Sequence, residues 1–196
     1  MELSGLGLGY FILNSRIRNM ARLSSQQIAL KPQDLLVLLA LSAHAAAATY
    51  ADLAAQTGLA GSAVHASLKR AAAAGLVRYQ DRQPVLLKPQ LREFVLYGAR
   101  YAFPAVSGRL TRGVPTAYAA PPLNAVIAPS SDPPPVWPHK NGSIRGIGLV
   151  PLYPSVPAAA LRDEKLYALL ALFDALRSGQ ARERNLAQSM LEERIQ

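Results

Sequence analysis

Residues 49–78 read TYADLAAQTGLAGSAVHASLKRAAAAGLVR, and the spacing within this run decides how the rest of the chain is understood. Leu53 and Ala54 mark the inner side of one short helix, predicted over 50–57. Gly58 supplies a sharp turn, and Leu59, Val64 and Leu68 recur at the intervals that pin a second helix, predicted over 62–74, onto the first. Gly75 is placed to end that second helix in the left-handed conformation that only glycine adopts cheaply. Two short helices meeting at a glycine-marked turn are the arrangement that presents a helix to the major groove of DNA.

The turn and second helix follow a recognisable pattern, L-S-x-S-x-V-x-x-x-L-K-R-L-x-x-x-G-L, which here runs Leu59, Ala60, Gly61, Ser62, Ala63, Val64, His65, Ala66, Ser67, Leu68, Lys69, Arg70 and Ala71, then Gly75 and Leu76. In this the chain resembles winged helix-turn-helix transcription regulators, MarR-like in the broad sense, over about 55 residues once the preceding helix and the wing are included. Two positions depart from the pattern. Ala60 stands where a capping Ser is usual, which costs roughly 1 kcal/mol unless Ser62 caps instead. Ala66 stands where many relatives carry a reading Arg. The resemblance implies a bacterial-type transcriptional regulator that binds double-stranded DNA as a dimer and without a metal or cofactor.

On the second helix Val64, Leu68, Ala71 and Ala72 are expected to face the core. That leaves Ser62, Ala63, His65, Ala66, Lys69 and Arg70 toward solvent or groove. Ser62 and His65 are placed to meet base edges, and Lys69 and Arg70 to meet phosphates. After Gly75, LVRYQDRQPVLL predicts two strands, 76–79 and 85–87, joined over 80–84. This is the wing that the resemblance implies, with Arg78 leading into it and Arg82 at its tip, either as phosphate contacts or as solvated turn charges.

Upstream, residues 1–25 are Gly-rich and then basic (Arg16, Arg18, Arg22), and are expected to be a mobile arm. Pro32 and Asp34 open a helix through LLVLLALSAHAAAA, apolar on nearly all sides as a central helix must be. His44 on it is expected to be a partly buried structural histidine, with no second ligand spaced to join it. Downstream of the wing, Leu91, Phe94, Val95, Leu96 and Tyr101 predict a further helix ended by Pro104, completing a winged helix-turn-helix domain over 26–103.

From 104 to 157 the chain holds 12 of its 15 prolines, which argues against a helix or a central strand. Its apolar anchors, among them Val114, Trp137 and Ile147, are too many for a free linker. An ordered extended strap is expected, with GSIRGIGLV as one strand. Residues 158–196 return to helical spacing, with Leu166, Leu169, Leu170, Phe173 and Leu176 in a wide stripe. Packing within the chain and a dimer seam are equally open for that stripe. The fold class is therefore mainly α with a small β wing, followed by a Pro-rich extended segment and C-terminal helices.

Composition bounds the chemistry. The chain of 196 residues carries 21 basic and 12 acidic side chains, a formal charge of +9, which favours a polyanionic partner. Residues 1–100 and 101–156 hold the excess, and 157–196 are balanced. The absence of cysteine excludes disulfides, thiolate metal sites and a Cys nucleophile. His44, His65 and His139 lie in regions of different type, and no HExxH, GxSxG or GxxxxGK[ST] context appears, so an enzyme is not expected. The N-terminal run has no leader-like pattern, and the 35–48 run is too short for a membrane span, so a cytoplasmic protein without membrane contact is expected. A different class of function, an antitoxin-like or adaptor module whose strap and C-terminal helices bind a protein partner, is the alternative reading.

Overall fold

A computed structural model describes residues 27–44, 48–128 and 130–196. The basic arm expected over 1–25 lies outside the described residues. The first element, α1 (Pro32–Ala43), starts where the sequence predicts, with Pro in its first turn and the Asp34 carboxylate accepting a 2.8 Å bond from the Lys31 N–H. Leu35 through Ala40 are buried on every side of it, so α1 is the axle around which the molecule is built.

Around α1 stand α2 (Tyr50–Thr57) and α3 (Gly61–Ala73). A box formed by Thr49 and Asp52 caps α2: the Asp52 N–H donates to the Thr49 hydroxyl, and the Asp52 carboxylate accepts from the Thr49 N–H and O–H. These hydrogen bonds from Thr49 hold the Asp52 carboxyl below its ordinary range. Gly58 and Gly75 both have positive φ, as the turn and the helix end require. The wing is the hairpin β1 (Val77–Gln80) and β2 (Gln83–Leu86). Its turn is tighter than the expected 80–84 link: Asp81 and Arg82 alone reverse the chain, both with positive φ, the backbone of a two-residue hairpin turn that follows strand twist. The next helix, α4 (Lys88–Glu93), runs through a π-helical turn (Phe94–Gly98) into α5 (Ala99–Ala102).

The Pro-rich region departs from expectation. Instead of an extended strap it folds into a three-stranded sheet, β3 (Ser107–Pro115), β4 (Pro135–Pro138) and β5 (Ile144–Leu149), of which only β5 was legible in advance. Each strand pairs with both others: β3 antiparallel to β4 and β5, and β4 parallel to β5, so the sheet closes on itself. The prolines are tolerated because those of β4 sit at its two ends rather than in mid-ladder. So small a closure has room for almost no side chains. Val136 fills it, and the glycines beside it are obligatory: a Cβ on Gly146 would lie 1.9 Å from the Pro134 carbonyl oxygen and 2.9 Å from Val136 Cγ1, and one on Gly113 2.1 Å from the Trp137 carbonyl oxygen.

Alternation along β4 then turns Trp137 the other way, outward onto a helix. That helix is α7 (Glu164–Ser178), preceded by the short α6 (Val156–Ala160) and followed by α8 (Ala181–Arg194). Its apolar stripe packs within the chain, against α1, α8 and the 3-10 turn Ala117–Ala119, so it is no exposed dimer seam. In the middle of this apolar helix lies Asp174, fully buried. Its carboxylate accepts from Trp137 Nε1 (2.6 Å), Thr116 Oγ1 (2.8 Å) and Arg177 Nε (2.8 Å). The Arg177 guanidinium continues to the Val150 carbonyl (2.9 Å), and the Tyr167 hydroxyl donates to the Pro115 carbonyl (2.7 Å). Burial of a charge is stable only when it is paired in this way, so the hub fixes the sheet on α7. A single apolar core runs from Leu35 to Ile195.

Candidate nucleic-acid interface

The candidate site is α3 with the hairpin that follows it. Val64 and Leu68 are fully buried and Ala71 nearly so, which seats α3 on α1 and α2. Ala72 is half-buried. Ser62, His65 and Lys69 stand exposed on the opposite side, with Ala63 and Ala66 half-buried between the two sides. Among the described residues α3 packs chiefly on α1, α2 and β1, so the later elements leave its outer side open. No side chain caps α3: its N-cap is Ala60, and Ser62, one residue into the helix beyond Gly61, does not take over that role.

Arg70 departs from the expected phosphate contact. Its guanidinium turns inward and makes a two-pronged bond to Asp34, 2.8 Å from Nε to Oδ2 and 2.6 Å from Nη2 to Oδ1, with the Asp34 side chain wholly buried. The hydrogen bonds that the guanidinium donates to Asp34 hold it above even its ordinary range. Arg70 therefore ties α3 to the start of α1, and Lys69 is left as the exposed cation of that pair.

An aromatic group that the sequence did not signal clearly centres on Tyr50 of α2, between α3 and the wing. The rings of Tyr50 on α2 and His65 on α3 lie 5.8 Å apart, and the Tyr79 hydroxyl of β1 lies beside that of Tyr50. Partial burial, then the adjacent Tyr50 hydroxyl, pushes the Tyr79 hydroxyl up to about 12. Because strand side chains alternate, Tyr79 facing this cluster sends Arg78 to the other face of the hairpin, where it is exposed. Arg82 is exposed at the tip. The structure thus gathers Ser62, His65 and Lys69 on one open surface, sets Arg82 at the end of the wing, and separates Arg70 and Arg78 from that surface. The only sequence signal for the cluster was two tyrosines bracketing the two-helix run.

The back of the unit is bolted to the C-terminal helices. The Ser155 hydroxyl donates to the Thr57 carbonyl (2.6 Å) at the end of α2. His44, expected to be a partly buried structural histidine, is half-buried and meets Asp163 at the N-cap of α7, Nε2 to Oδ2 at 2.5 Å. Burial opposes ionisation of Asp163, yet the bonds from His44 and from the Leu166 and Lys165 N–H groups outweigh it and hold this carboxyl below the usual range. Among the described residues no group of three or more His, Asp or Glu side chains is arranged to hold a metal ion, and no helix is long and apolar enough to cross a membrane.

Comparison with known families matches residues 30–84 to the model of the MarR family. The match ends within the wing and takes in just over a quarter of the chain. No curated protein and no solved structure matches.

Proposed function

We propose, from the premise that residues 30–84 are a winged helix-turn-helix domain of the MarR family, that this protein is a sequence-specific DNA-binding transcriptional regulator. The observation that carries the reading is the open outer side of α3, where Ser62, His65 and Lys69 are exposed while the apolar side is wholly engaged. Inserted in a major groove, the helix brings Ser62 and His65 to base edges, and Lys69 to a phosphate. The half-buried methyl groups of Ala63 and Ala66 let the backbone of α3 approach the groove closely. Arg82 at the wing tip reaches the flanking backbone, and Arg78 serves on the wing's outer face. Arg70 acts on DNA only through the position it gives α3.

Two polar readers on one helix distinguish few sequences, which favours two copies on a two-fold site, with their reading helices separated by one duplex turn. The protein works in the cytoplasm as a homodimer in this reading, with double-stranded DNA as its partner and no catalytic step. The test is binding to duplexes selected from a random pool. Lys69→Ala should weaken every duplex and lower the slope of log affinity against log salt by about 0.9, the value of one phosphate contact. His65→Ala should level the differences between sequences. Unaltered affinity for the selected duplex in both variants rejects the assignment.

A further inference from the structure

We propose that the outer face of β3 and β5 is a second contact surface for the phosphate backbone of duplex DNA, flanking the stretch held by α3; this rests on the reading of the head as DNA-binding. Arg112 and Arg145 are direct cross-strand partners in the antiparallel β3–β5 pair, and both are exposed. Like charges placed opposite each other across two strands repel and destabilise the pair. Nothing within the described residues relieves them: the ion pairs recorded there join His44 to Asp163, Arg70 to Asp34 and Arg177 to Asp174, and none involves Arg112, Arg145 or the neighbouring Lys140. In the whole of 101–156 the one acidic residue is Asp132, against four basic ones.

The face is also shaped in advance. Arg112 Nε donates to the Gly142 carbonyl at 2.7 Å, which holds the guanidinium beside the turn carrying Lys140 and leaves its other N–H groups free to bind. On the same face Leu110 pairs with Ile147, both partly exposed and neither aromatic. That offers no platform for stacking unpaired bases, so the complement is a duplex backbone rather than a single strand. Paired arginines 112 and 145 meet phosphate oxygens, and the contact carries no base information. One continuous core joins this sheet to the head, so the spacing between the two surfaces is fixed.

The experiment compares wild type, Arg112→Gln/Arg145→Gln and Lys140→Gln/Arg145→Gln on a duplex just covering the head's site and on one extended by two turns at each end. The second variant spares the Arg112 bond to Gly142, and thermal melts establish that each variant is folded. On the extended duplex both variants should bind roughly tenfold more weakly, with the salt slope reduced by about two, while the short duplex is bound as by wild type. Wild-type affinity of both folded variants on the extended duplex overturns the inference and leaves the head's role intact, as does equal loss on the two lengths. A wild-type protein that binds neither duplex overturns the reading of the head and this inference with it. Retention of the face by polyglutamate in preference to the extended duplex assigns it to an acidic protein and likewise overturns the proposal.

Discussion

Lys69 and Arg70 are adjacent and chemically alike, yet they belong to different parts of the protein's physics. Lys69 is exposed, so Lys69→Ala should leave the unfolding midpoint in urea almost unchanged. Arg70 neutralises a wholly buried carboxylate. Arg70→Ala strands Asp34 and should lower stability by about 2 kcal/mol in the same measurement, less than for a fully enclosed pair because the Arg70 end is partly solvated. Periodicity placed both residues on the outer side of α3; what it could not reveal is that a guanidinium reaches back across a turn to a carboxylate 36 positions earlier. Asp163 gives a prediction in pH. Its folded carboxyl titrates below its ordinary value, so it contributes stability above the unfolded value near 3.9, and that contribution is lost as pH falls through the folded value. Acid unfolding of Asp163→Asn should therefore start from a less stable protein at neutral pH and depend less steeply on pH below about 4.

Among elements, the wing turn joins backbone strain to the proposed binding. Asp81 and Arg82 both occupy left-handed backbone, a conformation that favours Asn and Gly. Arg82→Gly should raise the melting temperature by a degree or more while weakening DNA binding, a division that differential scanning calorimetry and a binding titration will separate. The helices and the hairpin were legible because their signals are local: apolar residues at three and four spacings, glycines at two chain reversals, proline in a first turn. The Thr49–Asp52 cap is equally local and went unread because an acidic residue in a first turn has many other uses. Strand β3 was hidden for another reason. Arg109, Leu110 and Arg112 are all exposed, with the register broken between Ser107 and Leu110, and no apolar row alternates with them, since the inside of so narrow a closure accepts little beyond glycine.

At the scale of the molecule, the joint between sheet and helix decides stability. Asp174→Ala leaves Arg177 nearly buried without its partner and removes the acceptor from Trp137 and Thr116, and should cost about 3–5 kcal/mol by chemical denaturation. Gly146→Ala should open the closed sheet outright, since the added carbon would coincide with the Pro134 carbonyl oxygen. Neither effect could be anticipated from the chain, because the joint unites positions 116, 137 and 174, separated by dozens of residues in a region whose prolines argued for an extended path. The same joint has a practical sequel. The protein's sole indole is sealed inside it, away from the exposed side of α3. Its emission should redden when the architecture melts and stay constant when a duplex is added, so one cuvette can distinguish a variant that has lost its shape from one that has lost its grip.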